Sequence, residues 1–492
     1  MPPQPLNKDS KIVIVGAGVF GLSTALHLVQ RGYRNIHLFD KQPFDKNQYS
    51  EEQGADGASC DLNKIVRASY GGRHLYQDLA FKAMPEWQRW NRELAQEQQD
   101  DDVQLPDCLK GDDVKLWHNC GFVRLSGNEG GGGGLEPSEI ETQKNFPERI
   151  KYTQYRVSDA KWREDALRDG LPPTKIDPFD RLGRGLPVDG ILDMTAGFVL
   201  ASRACAWALH LCVKSGGVKT YLGEEFGLRS FLKTGDTVTG IITAGMERHS
   251  ADLVLVACGG WTPSLLPDVD RLLETTGGSV LSIQLPKHRQ DLWDKYAEEK
   301  FPVWSWNTGS YKPHATVGGI YGLPRTPEGI VKIAFRGAKW TSYTRRSSVG
   351  EKVSYPQTDM DKIPAEAMRV LQTFCAENLP DLLELDLSKC RLCWYTDSVD
   401  NDFLIDHVAG TRGLVVASGG SGHGFKFLPV LGEHVVDVLE GKDTEYTRLF
   451  RWRRVPEGER NGLEEGPEGW RTLDRQRLAG NREWRGLESS RL

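Results

Sequence analysis

The sequence predicts an α/β protein in which a doubly wound (Rossmann-like) domain is joined to an α+β domain with an antiparallel sheet. Three observations predict it. Residues 11–41 read strand, glycine turn, helix, strand; residues 251–261 hold an almost wholly apolar strand followed by a glycine pair; residues 412–441 repeat the strand, glycine loop and helix order of the N-terminus. The length of 492 residues allows two to three domains at about 150 residues each. With 39% hydrophobic and 26% charged residues there is enough apolar material for a sizeable core.

The elements follow in order. KIVIVGAG opens with alternating β-branched residues, VFGLSTALHLVQRG carries apolar residues at helical spacing, and NIHLFDK is a second short strand. Such a βαβ crossover demands parallel strands. A polar stretch over 42–60 leads to GASCDLNKIVRASYGG, read as a loop opening a helix that runs from about Tyr76 to Gln98. The run NEGGGGGLEPSE from Asn128 reads as a mobile surface insertion. A long helix is expected over 196–220, then strands in VTGIITA and in ADLVLVACGGW, the latter apolar enough for the middle of a covered parallel sheet. Residues 300–337 alternate as antiparallel strands. The glycine-bearing pieces are far apart, so the doubly wound domain is expected to be discontinuous, built from 1–85, 190–265 and 390–445. Residues 86–189 and 266–389 form the second domain, and 446–492 an Arg- and Gly-rich tail expected to be flexible.

Composition excludes several classes. Asp and Glu outnumber Lys and Arg 68 to 62, a net charge of −6, which removes the bulk basic field of a nucleic-acid binder. Nine cysteines form an odd set and no secretory-type leader precedes them, so a reducing compartment is expected. Cys390 and Cys393 make a single C-x-x-C without the second pair that a structural zinc site wants, and no metal is expected. Ile12–Val29 is uncharged, yet its three glycines and His27 argue against a membrane span.

The strongest motif is Gly16-Ala17-Gly18-Val19-Phe20-Gly21, a G-x-G-x-x-G that follows a strand and opens a helix. Its first glycine makes the turn, its second lets a pyrophosphate approach the backbone, and its third packs helix on strand. Asp40 lies 19 residues after Gly21 at the end of the second strand, where a ribose hydroxyl needs an acceptor. Dinucleotide binding follows.

That motif, DLNKIVR, CWYTDSVDNDFLID and SGHGFKFLP, in this order over roughly residues 10–455, resemble the flavin-dependent amine oxidases. This family includes monomeric sarcosine, pipecolate and saccharopine oxidases and the fructosyl amino acid oxidases (amadoriases), whose fungal branch EHVVDVLEGK to FRWRR resembles most. The resemblance implies FAD, bound by Gly16, Gly18, Val19, Phe20 and Gly21 with Asp40, Lys41, Ser59, Asp61 and Lys64. The second glycine loop, Gly420, Gly422, His423, Gly424, Phe425 and Lys426, is placed beside the ring; a purely structural His423 is an equal reading. It also implies an 8α-methyl link from the flavin to a cysteine thioether at Cys393, with Cys390 three residues away and a buried structural cysteine as the alternative. Lys332, in GIVKIAFRG, matches the lysine that activates O2, and its apolar neighbours favour an inward side chain. Arg67 and Lys426 match positions that hold the substrate carboxylate, for which the guanidinium fork is well suited. Two residues depart from the family: Arg336 stands where fructosyl amino acid oxidases have a glutamate, and Cys60 where sarcosine oxidases have a histidine.

The function implied is oxidation of a secondary amine, an N-substituted (N-methyl or N-alkyl) amino acid, to an imine, with O2 reduced to H2O2. The alternatives are a fructosyl amino acid oxidase and a saccharopine or pipecolate oxidase. A NAD-dependent dehydrogenase would leave Cys393 and SGHGFKFLP without a role; a non-catalytic flavoprotein would leave Lys332, Arg67 and Lys426 without one. The final Ser490-Arg491-Leu492 is a variant of the S-K-L peroxisomal address, read by an import receptor. The expected form is a peroxisomal monomer.

Overall fold

The computed structural model describes residues 6–111, 114–127, 137–269, 272–307, 318–343, 345–346, 352–358, 360–454, 456 and 465–485. Most of the Asn128 insertion and the final Ser490-Arg491-Leu492 lie outside the described residues.

Two sheets organise the molecule. The first has six strands in the order Leu404–His407, Leu414–Ser418, Leu253–Val256, Ile12–Val15, Ile36–Asp40 and Val218–Leu222. Five run parallel, with Ile12 opposite both Ile36 and Leu253, and only the edge strand Leu404–His407 is antiparallel. Every residue of Leu253–Val256 and of Leu414–Ser418 is buried, as befits strands covered on both faces. The helices Val19–Gln30, Ala201–Lys214 and Leu431–Leu439 pack on this sheet and on one another.

The second sheet has eight strands: Leu387–Ser398, Leu273–Gln284, Ile330–Trp340, Ile320–Leu323, Val303–Trp306, Phe122–Ser126, Asp189–Asp193 and Gln154–Arg156. It is antiparallel except where Val303–Trp306 runs parallel to Phe122–Ser126, so it is mixed rather than purely antiparallel. One face packs on a core that includes Trp304, Trp340, Phe374, Leu392 and Trp394. The opposite face of its first three strands carries the site.

Three expectations are corrected. DLNKIVR does not lead straight into a helix: Asn63–Val66 is a strand paired antiparallel with Gly197–Leu200, and the helix starts at His74. The helix expected from 196 starts at Ala201, because the apolar Gly197–Leu200 is taken by that pairing. VTGIITA is a strand as expected, in a separate three-stranded antiparallel sheet. Residues 465–485, expected to be flexible, are docked. Leu478–Ala479 pairs with Ile363–Pro364, Arg471 bonds the Lys339 carbonyl at 2.6 Å, and Trp484 is 1% exposed in the second core.

Candidate active site

A cavity of about 830 Å³ runs between the two sheets. It is bordered by every residue of the expected site except Gly21 and Asp61. Gly21 lies behind it, against the Gly16 carbonyl, where any larger residue would part helix from strand. Asp61 lies one layer further in, against Lys332.

At the dinucleotide end, a Cβ on Gly16 would overlap the Ala257 carbonyl, and one on Gly18 would stand 2.9 Å from the Ser59 hydroxyl. Only bare backbone fits this cradle. Val19 N–H donates to Ser59 Oγ at 3.2 Å, and Asp40 accepts from the Ala17 and Gln42 N–H groups at 2.8 Å. Asp40 thereby closes the turn as well as facing the cavity. Lys41 stands 4.1 Å from the centre of the Trp261 ring, which borders the same cavity. The Phe20 ring lies against Gly420 and Gly424, so the two glycine loops, from opposite ends of the chain, meet at one point. This glycine cradle, helix N-terminus and terminal acid fit the pyrophosphate and ribose of FAD.

The sheet supplies the opposite wall, and its period of two decides what faces inward. Lys332, Ala334 and Arg336 share one face of Ile330–Trp340. Arg391, Cys393, Tyr395 and Asp397 share the matching face of Leu387–Ser398. Cys390 is an odd number of residues from Cys393 and turns the other way, into the second core with its thiol toward the Ala479 carbonyl. Cys393 borders the cavity, 3.6 Å from Lys64 Nζ.

Lys332 is 1% exposed. Its Nζ donates to Asp61 Oδ2 at 2.6 Å and to the Asn63 carbonyl at 2.7 Å. Lys64 meets the same carboxylate at 2.7 Å, and Arg391 reaches it at 3.4 Å while pairing with Glu51 at 2.7 Å. Burial alone would raise the Asp61 carboxyl, but Lys332, then Lys64 and Arg391, hold it well below the usual range. The result is a knot of two carboxylates, Asp61 and Glu51, and four cations, since Lys389 also meets Glu51 at 2.9 Å, beneath the Cys393 wall.

Arg67 and Lys426 sit differently. Lys426 is 3% exposed and donates to the Tyr70 hydroxyl at 2.9 Å and the His423 carbonyl at 2.7 Å. Arg67 donates to the Ser69 carbonyl and stacks 4.7 Å from the Tyr70 ring. Among the described residues no carboxylate pairs with either. Burial first, then Arg67 and Arg336, push the proton affinity of Lys426 well below its ordinary value. His423 Nε2 faces the Asn401 carbonyl at 2.9 Å, so its proton is assigned there; Nδ1, 3.0 Å from Tyr70, accepts that hydroxyl. Burial and Lys426 keep the imidazole neutral. Lys426, Tyr70 and His423 thus form one directional chain. Lys426 belongs to the short turn Phe425–Phe427, ahead of the helix that begins at Leu431.

Tyr70, Arg391, Glu51 and Asp397 were missed by the sequence reading. For Arg391 and Asp397 a signal existed: charged residues at even spacing with Cys393 in an apolar strand.

The FAD dependent oxidoreductase family model matches residues 11–438. The chain is similar to L-saccharopine oxidase of Schizosaccharomyces pombe, 26% identical over 90% of this chain and 93% of that one. It is equally similar to the peroxisomal sarcosine oxidase of Homo sapiens, 26% identical over 90% and 96%. Amino acid oxidase imqH of Aspergillus flavus is 24% identical over 88% and 93%. Among solved structures, fructosyl peptide oxidase from E. terrenum superposes with a TM-score of 0.71 at 23% identity, covering 92% of this chain and 94% of that one. That likeness concerns the fold. A family match spanning most of the chain, on a cavity whose glycine cradle fits FAD, makes the chain a member of the FAD dependent oxidoreductase family, of the amine and amino acid oxidase type.

Proposed function

We propose that the protein oxidises the C–N bond of a secondary amine, an N-substituted amino acid, to an imine, with O2 as the final acceptor and H2O2 as product. The observation that carries this reading is the continuity of one cavity. It runs from the glycine cradle, past Cys393 and Lys332, to the buried Lys426 and the half-buried Arg67, which among the described residues have no carboxylate partner. FAD, when bound, supplies the two-electron acceptor and the route to O2. The chain's own residues do the rest. Arg67 and Lys426 receive the substrate carboxylate. Lys332, fixed by Asp61 and the Asn63 carbonyl, keeps a cation in a site shielded from water, where developing negative charge on oxygen is stabilised. Cys393 is the proposed thioether link, supported by its turn toward the cavity where Cys390 turns away. The amine reacts in its neutral form, so the rate rises with pH. We assign the protein to the peroxisome, through Ser490-Arg491-Leu492 and an import receptor, and to a monomeric state; peroxisomal and monomeric sarcosine oxidases among its relatives support both.

The test is an anaerobic panel of N-methyl amino acids. A substrate abolishes the flavin band near ~450 nm, and admitting air restores it with one H2O2 per turnover. Acid-precipitated protein stays yellow, Cys393→Ala releases the colour and Cys390→Ala does not. A flavin that no amine bleaches refutes the oxidase reading; release by Cys390→Ala alone moves the link.

A further inference from the structure

Arg336 does not belong to the pair that receives the first carboxylate, yet it is built into the same pocket. Its Nε donates to the Tyr395 hydroxyl at 3.1 Å and one terminal nitrogen, Nη2, to the Ser421 carbonyl at 2.9 Å. The guanidinium lies face-on against Gly422, whose φ of +68° and missing Cβ leave the room; any side chain there would overlap it. The Tyr395 ring lies 5.2 Å away on another side. The group is therefore pinned and cannot swing out to solvent.

Its charge is favoured by Tyr395 and Asp397 but not fully offset by them. The carboxylate within reach, Asp397, is 3.6 Å away and is held more closely by Lys339 at 2.9 Å. Asp397 also accepts the Thr276 hydroxyl. Lys339 and Arg336 thus share one buried carboxylate, which leaves this wall with an excess positive charge. Among the described residues nothing takes the second terminal nitrogen, Nη1. The side chain stays 30% exposed, and Arg336 borders the cavity. The loop Gly420–Lys426 ties it to the first pair, since Arg336 bonds the Ser421 carbonyl and Lys426 the His423 carbonyl two residues on. The cations feel one another: Arg124, which borders the same cavity, and then Arg336 disfavour the charge on Arg67, while Arg67 and then Arg336 disfavour that on Lys426. One substrate carboxylate offsets part of this field, and a second anion is favoured beside what remains.

We infer that the substrate carries two acidic groups, one received by Arg67 and Lys426 and the other by the free edge of Arg336, and that Arg336 is the residue that selects this class. The inference rests on the amine oxidase reading for the chemistry and on the cation arrangement for the selection. A second carboxylate on the side chain or on the N-substituent suits a fork anchored on its other edge.

The experiment uses the holoenzyme in two arms. In the first, N-methylglutamate is compared with its neutral isostere N-methylglutamine, and N-(carboxyethyl)glycine with N-propylglycine, as anaerobic reductants. Losing a charge-assisted hydrogen bond costs about 10- to 100-fold, so at least one diacid is expected to exceed its partner by that ratio in kcat/KM. Arg336→Gln brings the ratio to near one, while Arg336→Lys keeps part of it. In the second arm the ligands lack an amine: glutarate is compared with butyrate by the shift in melting temperature and the perturbation of the flavin spectrum. Glutarate is expected to bind at least about tenfold more tightly, and Arg336→Gln to erase the difference. Glutarate selectivity without reduction by any amine would uphold two-acid recognition and overturn the oxidase reading instead. Equal binding of glutarate and butyrate, or a diacid preference that survives Arg336→Gln, overturns the inference.

Discussion

Lys332 and Lys426 are both buried lysines on one cavity, and they are handled in opposite ways. Lys332 is neutralised by Asp61 at 2.6 Å, inside a knot that also holds Lys64, Arg391 and Glu51. Lys426 donates only to a hydroxyl and a carbonyl, beside Arg67. A buried charge without a partner is costly, so it persists where something outside the chain completes it. The comparison separates a permanent cation, built into the protein, from a conditional one that waits for an anion.

The largest effects come from breaking the permanent end. Asp61→Ala strands Lys332 and Lys64 and leaves Arg391 with Glu51, and removing one partner of a buried ion pair costs about 3–5 kcal/mol. Loss of folded protein or a large drop in melting temperature is the expected readout. Lys332→Met keeps most of the volume and removes only charge. Flavin reduction by substrate then survives, while the reaction with O2, followed by stopped flow, slows about 10²- to 10³-fold. Equal slowing of both half-reactions would make Lys332 a substrate-binding or structural residue.

The conditional end is expected to respond in the opposite sense on stability. Lys426→Met removes an uncompensated buried charge and so stabilises the free enzyme at neutral pH, yet raises KM for an N-alkyl amino acid about 30-fold. The pH dependence follows the same logic. The folded chain holds the Lys426 proton less tightly than the unfolded chain does at its ordinary 10.5. The free enzyme therefore gains stability from this group as pH rises toward 10.5, and loses it as pH falls toward the depressed folded value. Lys426→Met flattens that slope in pH-resolved melting curves. An unchanged slope would show that the lysine has a partner in solution.

The same contrast explains what was legible in the sequence. The first βαβ unit could be read because its glycines, apolar period and terminal acid are local and ordered along the chain. The inward turn of Lys332 could be read because its neighbours in the alternating strand are apolar. Its partner could not, since Asp61 is 271 residues away and no local pattern joins them. The strand Asn63–Val66 was hidden because it carries functional polar groups where a strand would show an apolar face: Asn63 is buried and Lys64 turns to the cavity. The C-terminal segment misled through composition. Its arginines and glycines read as loose chain, while three spaced anchors, Arg471, Leu473 and Trp484, dock it. Arg336 was visible as a departure from the family, but its pinning on Gly422 and Ser421 needs the fold.

The central claim is that the cavity recognises its amine through an anion. An N-methyl amino acid is compared with the amine left after removing its carboxylate, each mixed anaerobically with the wild-type holoenzyme while the ~450 nm band is followed. The account predicts that the amino acid bleaches the flavin and that the decarboxylated amine does so at least about 30-fold less efficiently, the worth of one buried charge-assisted pair. Equal efficiency for the two would contradict it, because Arg67 and Lys426 would then have no carboxylate to receive.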